Sequence, residues 1–415
     1  MALDIEPDVG VGLQYTDNAA LTADDEDSDW IAIGYVGANI EQSSGPLQAN
    51  ATASLNYQNY TQNTFSDKVY FNLGATADWE MVRNRLDWQL QNFFTQRPVD
   101  STDPDTPDNA QNTNVFTFGP TILFPLSGRQ TVTVSPTYRN FYYQDSDTDN
   151  QQYSLTANWF YQMYRLTGVG LDGGVTRVDY DDEQRNPNYI SSNIHFVVSA
   201  QRARSEFDIN LGATNINRDR FENQSGFTGN LSWLVRLTGH SQVRTYIASE
   251  LTDSNNGLLN ASVNPDDGDF SNEQISGDVL RNSIIRLEYL RQDATLNSRL
   301  WGELRDEDYK EAPDDREVQS VGAELNYPVT ALLSSGVSVR YKRTKLTEDN
   351  RTDKRYEVGG NIGYQLSRKL RSVFDLQYRK KDSTLDTDEY SEMSAFVSLV
   401  YGLGQVSRAN RGGGF

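Results

Sequence analysis

Leu47-Gln48-Ala49-Asn50-Ala51-Thr52-Ala53-Ser54-Leu55-Asn56-Tyr57-Gln58 switches between apolar and polar at every residue. Val69 to Glu80 repeats the pattern, with Val69, Phe71, Leu73, Ala75, Ala77 and Trp79 set against Tyr70, Asn72, Gly74, Thr76, Asp78 and Glu80. Successive strand side chains point to opposite faces, so each stretch predicts a strand with one apolar and one polar face. The same period recurs at Phe207 to Leu211, Phe227 to Leu237 and Met393 to Leu403. A soluble sandwich also alternates, but it rarely needs many segments of about 10 residues, the length that crosses a bilayer when tilted.

Two kinds of connection take turns between these segments. One is short and often basic: Ser43 to Pro46, Arg83 to Arg85, Ser127 to Arg129, Arg202 to Arg204, Gly239 to Ser241 and Ser367 to Lys369. The other is longer and mostly acidic, as in Asp24 to Asp29, Asp100 to Asp108, Asp181 to Asn186, Thr252 to Asp278, Asp306 to Asp315 and Asp382 to Asp388. Short periplasmic turns alternating with longer outer loops are the pattern of an outer-membrane barrel. About 10 long loops, each closing a pair of strands, predict an all-β transmembrane antiparallel barrel of about 20 strands, within the range of about 18 to 22. A phase slip near Val175 predicts a bulge there. Residues 1–405 read as this single barrel and 406–415 as a short Gly- and Arg-rich tail.

Composition points the same way. Of 415 residues 58 are acidic and 37 basic, a net charge of −21, which argues against a nucleic-acid partner. Only 37% of residues are hydrophobic, yet there are 23 Tyr, 17 Phe and 6 Trp, which suits a wall whose every second residue faces lipid. No run of about 18 apolar residues predicts a membrane helix. The absence of cysteine removes thiol chemistry and disulfides. The opening Met1-Ala2-Leu3-Asp4 carries no basic, apolar signal segment, so it reads as a mature start.

If the apolar phase meets lipid, the other phase lines the interior. In the first half that lining is mostly Asn, Gln, Ser and Thr. In the second half it gains Arg236, Arg244, Glu250, Arg286, Glu288, Arg299, Glu303, Arg305, Glu324, Arg340, Lys342, Arg371, Asp375 and Arg379. Such charges either pair across neighbouring strands and hold the wall in register, or form a selectivity lining that touches a solute. Tyr15, Tyr57, Tyr60, Trp79, Trp88, Tyr138, Trp159, Tyr161, Trp233, Tyr289, Tyr327 and Tyr364 are expected in the aromatic girdles at the two membrane interfaces. Stacking of sugars on them is the alternative.

Candidate chemistry is sparse. His195 falls on the polar phase and His240 in a short turn, and no GxSxG or HExxH motif accompanies either. The chain therefore reads as non-enzymatic, without a cofactor. Asp145, Asp147 and Asp149 resemble the start of a calcium loop, but the sixth position is Asn150, not Gly, and the twelfth is Thr156, not Glu. A solvated acidic loop is the simpler reading. The stretch Thr252 to Asp278 is the only loop of its length, and an inward fold would make Asp266, Asp267, Asp269 and Glu273 a cation-preferring constriction.

Pro7-Asp8-Val9-Gly10-Val11-Gly12-Leu13-Gln14-Tyr15-Thr16-Asp17-Asn18-Ala19-Ala20-Leu21 resembles the opening of outer-membrane barrel proteins encoded with exopolysaccharide and PEP-CTERM (exosortase) systems. Their first strand ends in a similar Tyr-Thr-Asp-Asn corner followed by an acidic loop. Trp30 to Glu41 and Leu47 to Tyr60 fit as well, so the resemblance covers about the first 60 residues. It implies passage of extracellular polysaccharide across the outer membrane and a periplasmic export partner, and it brings no catalytic residues. The alternatives are a diffusion porin for small solutes and a structural scaffold barrel. The expected surroundings are outer-membrane lipid and lipopolysaccharide.

Overall fold

The computed structural model describes residues 3–254, 276–348 and 350–402. Twenty strands follow one another: β1 (Asp4–Thr16), β2 (Asp29–Gln42), β3 (Leu47–Tyr60), β4 (Lys68–Val82), β5 (Leu86–Pro98), β6 (Ala110–Ser127) and β7 (Gln130–Tyr143). Then come β8 (Asn150–Tyr164), β9 (Thr167–Tyr180), β10 (Tyr189–Gln201), β11 (Ser205–Arg218), β12 (Gln224–Arg236) and β13 (Ser241–Asp253). The series ends with β14 (Val279–Gln292), β15 (Asn297–Tyr309), β16 (Arg316–Pro328), β17 (Leu333–Leu346), β18 (Arg351–Gln365), β19 (Leu370–Ser383) and β20 (Tyr390–Gly402). Each strand pairs antiparallel with its sequence neighbours, and β1 pairs with β20 from Asp8↔Gly402 to Thr16↔Ser394. The sheet is thus closed and has no free edge, the condition for strands to cross a bilayer with every backbone group satisfied. The protein is an outer-membrane β-barrel with strands of 13 to 18 residues.

Alternation explains the two faces. On β15, Leu300 and Leu304 point outward and are half exposed, whereas Glu303 and Arg305 are 4% and 5% exposed on the inward face. From Leu366 below to Tyr356 above, β18 presents only apolar, glycine or aromatic residues outward. That is ~33 Å of strand at about 3.3 Å per residue, which at a tilt of about 40° covers the ~25 Å apolar band of an outer membrane. Trp79, Trp88, Trp159, Tyr161, Trp233, Tyr289, Tyr327 and Tyr364 lie outward toward the short-turn ends, and Tyr15, Tyr57, Tyr138 and Tyr153 toward the long-loop ends, whereas Tyr60, expected with them, faces inward on the other phase of β3 and is buried against Ile31 and Ile33. Several of these rings pack in pairs across strands, such as Tyr15 with Trp30 at 5.0 Å and Trp88 with Phe118 at 4.9 Å.

The short turns are tight for local reasons. Gly45 adopts φ 96° and Asn84 φ 55°, the left-handed region that these two residue types tolerate best. Register shifts occur at Glu80/Val82, Pro125/Ser127 and Gln162/Tyr164, all at the short-turn end of their strands. The bulge expected near Val175 is absent: Val175 pairs in register with Leu155 and with Ser192. Gly168, Gly170, Gly173 and Gly174 blur the apolar–polar alternation there without breaking the ladder.

Candidate functional site

The register places all fourteen charged lining residues on the inward face, and it links most of them into a ladder. Arg244 approaches Glu288 at 3.8 Å, and Glu288 takes a 2.5 Å hydrogen bond from Arg299. Arg286 lies 3.6 Å from Glu303, which accepts Arg305 Nη2 at 2.6 Å. Arg340 bridges Glu324 at 2.8 Å and Glu357 at 3.9 Å. Arg379 donates to Glu392 at 2.5 Å, and Glu392 also accepts the Thr16 hydroxyl at 2.8 Å, which ties β19 and β20 to β1 across the closing seam. Arg236 reaches back to Glu206 on β11. The other four share the same inward face. Glu250 accepts Tyr246 Oη at 3.4 Å, Lys342 stands opposite Ser320 and Arg355, Asp375 opposite Asn361 and Phe396, and Arg371 near the lower rim opposite Gln365 and Val400.

The upper part of the same wall adds charges that sequence reading did not single out. Glu307 lies 3.5 Å from Arg305 Nη1 and 2.7 Å from Arg316 Nε, and Arg316 Nη2 donates to Tyr309 Oη at 2.9 Å. Asp353 accepts Arg351 Nη2 at 2.9 Å, with Lys381 Nζ 3.3 Å away. Buried guanidinium and ammonium groups require such partners, because desolvation otherwise outweighs any gain.

Onto these groups folds the connection between β5 and β6, residues 99–109. Lys381 Nζ donates to the backbone carbonyl of Thr102 at 2.7 Å, and Arg351 Nη2 donates to the same oxygen at 3.3 Å. Arg316 Nη1 donates to Ser101 Oγ at 3.1 Å, and Arg355 Nη1 to Asp105 Oδ2 at 3.2 Å. At its near end Lys68 holds Asp108 at 3.0 Å. β18 is seven strands from β5 by the shorter way round, through the β1–β20 seam. The loop therefore reaches its partners by crossing the lumen. Arg355 sits four residues below the upper end of β18, about 13 Å down the strand. Between loop and wall lies a cavity lined by Ser101, Thr102, Arg305, Glu307, Arg316, Lys342, Asp353, Arg355 and Lys381. Its charged lining is five cations against two carboxylates. Burial, aided by Asp100 and Asp388, raises the Asp103 carboxyl above the usual range despite nearby Lys381 and Arg351.

A second element narrows the opposite side of the mouth. Pairing between β12 and β13 stops at Gly229↔Ser249, although β13 continues with β14 to Asp253↔Val279. Leu251 and Val279 pack with Val178, Tyr180, Tyr189 and Ile216, inward residues of β9 to β11. The fully buried Asp253 accepts Tyr189 Oη at 2.5 Å and Tyr180 Oη at 3.4 Å. The upper end of the β13–β14 hairpin thus leans over the lumen.

Among the described residues the loop that folds inward is 99–109, which sequence reading did not single out, since docking depends on partners rather than on residue count. Asp266, Asp267, Asp269 and Glu273 lie outside the described residues, as does the tail 406–415. Asp145, Asp147 and Asp149 do not converge. Asp147 pairs with Arg185, and Asp149 accepts the Tyr143 amide at 2.6 Å. Among the described residues no three carboxylate or imidazole groups are grouped to hold a metal ion. His195 faces inward, its Nε2 2.9 Å from Thr228 Oγ1.

No protein-family model matches the chain, and no curated protein is similar to it in sequence. Among solved structures the fold resembles the ferric enterobactin receptor PfeA of Pseudomonas aeruginosa, with a TM-score of 0.52 and 8% identity, over 96% of this chain and 80% of that one. Two further Pseudomonas aeruginosa structures are more distant. OccK2, solved with glucuronate, has a TM-score of 0.43 and 9% identity over 97% and 98% of the two chains. The outer membrane protein OpdK has a TM-score of 0.40 and 10% identity over 96% and 98%.

Proposed function

We propose that the protein is an outer-membrane channel for small polar solutes, with loop 99–109 and the basic wall beneath it as the constriction. The observation that carries this reading is the set of tethers from Arg316, Arg351, Arg355 and Lys381 to the loop. A loop held across the lumen by charge-assisted hydrogen bonds narrows the path without closing the wall. The surplus of cations around the cavity favours anionic or carboxylate-bearing solutes at the narrowest level. The acidic outer loops raise cation concentration at the mouth in a salt-dependent way. Selectivity should therefore shift toward anions as salt screens the mouth. Purified protein in planar bilayers tests this. Wild type should conduct, and the triple variant Arg316→Ala, Arg351→Ala, Lys381→Ala should show larger, noisier conductance with weaker anion preference. Absence of conductance in both proteins would remove the channel reading and leave a scaffold barrel.

A second reading, export of extracellular polysaccharide with a periplasmic partner, is favoured by the Pro7–Leu21 resemblance and by the amide- and hydroxyl-rich wall of β1 to β12. A deletion strain separates the two: loss of surface polysaccharide with normal solute uptake supports export, and the converse supports the small-solute channel.

A further inference from the structure

Three sequence triplets on consecutive strands share one design: Tyr341-Lys342-Arg343 on β17, Lys354-Arg355-Tyr356 on β18 and Tyr378-Arg379-Lys380 on β19. The middle cation of each faces the lumen. The flanking tyrosine and cation face outward, and in every case the cation lies two residues above the tyrosine, toward the long loops. Tyr341 and Tyr356 are register partners with rings 5.2 Å apart, and the half-exposed Tyr378 continues the row. They form the upper aromatic girdle on this side, at the headgroup level. Arg343, Lys354 and Lys380 consequently stand just above that level on the outer surface of the barrel.

This placement is not repeated elsewhere on the wall. Two residues above the corresponding aromatics Tyr57, Phe94, Tyr138 and Tyr153 come Asn59, Gln96, Asn140 and Gln151. Amides suffice to meet a polar interface, so three cations in their place need another explanation. Internal pairing accounts for Lys380, which Asp382 holds at 2.8 Å, but not for Arg343 and Lys354. Arg343 and Lys354 are direct cross-strand partners, an arrangement that is unfavourable for like charges unless an anion sits between them. Arg343 Nε is buried with no hydrogen-bond acceptor. Glu317 is engaged by Lys345 at 3.2 Å, and Asp382, the register partner of Lys354 on β19, is engaged by the third cation of the row, Lys380.

We propose that the outward face of β17, β18 and β19 at Arg343, Lys354 and Lys380 is a binding site for the phosphates of lipid A, the membrane anchor of lipopolysaccharide. The acyl chains would lie along Val339, Val358 and Leu376, which are exposed on the same strands below the tyrosines. A phosphate between Arg343 and Lys354 removes their repulsion and gives Arg343 Nε its acceptor. This assignment concerns the outer surface and is independent of whether the lumen conducts.

The test uses the full-length barrel in detergent micelles, titrated with bis-phosphorylated lipid A and read by native mass spectrometry. Arg343→Gln, Lys354→Gln and Lys380→Gln are combined in one variant, whose folding is checked by heat-modifiable mobility on gels. Each cation at a membrane surface contributes to anion attraction, so the triple variant should lose affinity by at least about tenfold. Arg177→Gln, which removes an outward arginine already bonded to Asp179, should bind as wild type does. Lipid A stripped of its phosphates, phosphatidylglycerol and inorganic phosphate should each bind the wild type much more weakly. Equal binding of lipid A by wild type and the triple variant would overturn the site. Equal binding of phosphatidylglycerol and lipid A by wild type would overturn the lipid A assignment.

Discussion

The inner wall of β1 to β12 and the inner wall of β13 to β20 solve the same problem differently. In the first, polar groups satisfy one another in small neutral groups: Asn210 with Asn230 at 2.9 Å, Thr95 with Asn72 at 3.0 Å, Ser154 with Thr176 at 3.0 Å, and Thr228 with both Thr214 at 2.8 Å and His195 at 2.9 Å. In the second, arginines and carboxylates share partners, so that Glu303, Glu307 and Asp353 each meet more than one cation. Neutral groups are independent, and the loss of one leaves its neighbours intact. A charged network is interdependent, because removing one member leaves buried charge uncompensated. The loop 99–109 docks on the second wall for the same reason. Its backbone carbonyl at Thr102 is a single acceptor, and two converging cations hold it more firmly than amide donors would.

That contrast is most exposed to Glu307→Gln. Glu307 is 3% exposed between Arg305 and Arg316. Neutralising it should destabilise the barrel by about 3 kcal/mol. Asn72→Ala on the neutral wall removes one amide acceptor and should cost about 1 kcal/mol. Denaturant titration of folded protein in lipid vesicles compares the two. Equal losses would show that the charged wall is wet enough for its pairs to act independently, and the comparison would collapse.

A second contrast sets the neutral wall against the lipid. Leu73→Arg places a charge on the outward face of β4, and Thr76→Arg places one inside, three residues away. The first should cost about 2–4 kcal/mol near the bilayer midplane and the second far less. Folding efficiency into bilayers of defined thickness reads the difference. Similar penalties would mean that the neutral wall is dry at this height, against an aqueous lumen.

These walls were legible in the sequence to different depths. Period-two alternation fixes which residues share a face, so the sides of Leu73, Thr76, Arg299 and Glu303 follow from their neighbours alone. The strand number followed from the alternation of short turns and long loops, since each loop closes one antiparallel pair. What alternation does not carry is contact between distant strands. Thr102 and Lys381 are 279 residues apart, and the loop contributes a carbonyl that every residue possesses. Nothing in Ser101 or Thr102 marks them as ligands of a wall. Length pointed to Thr252–Asp278, most of which lies outside the described residues, because size is visible in a sequence and docking partners are not. Glycines limited the reading in another way: without side chains at Gly168, Gly170 and Gly174, β9 showed a phase slip where the ladder is regular. The cations Arg316 and Lys381 were within reach, since they share a strand phase with Glu324 and Arg379, whereas β18, which carries Arg351, held no assigned lining residue, and all three cations lie near strand ends where a boundary is hardest to place.

The smallest expected effect sharpens how the loop sits on the charged wall. Asp103 has its carboxyl raised above the ordinary range, first by burial and then by Asp100 and Asp388, with Lys381 and Arg351 opposing. A raised value in the docked state means that docking binds the proton more tightly than the free loop does. Docking is therefore strengthened as pH falls through the raised value, and the benefit is lost as pH rises above it and Asp103 ionises. In single-channel records the loop-release flicker should become rarer on mild acidification. Asp103→Asn mimics the protonated form. At neutral pH it should already show the low flicker of acidified wild type, and it should respond little to further acid. If Asp103→Asn keeps the wild-type pH response, the proton that matters lies elsewhere in the Asp100–Asp108 stretch, and the loop's grip on the charged wall is set by the arginine and lysine tethers alone.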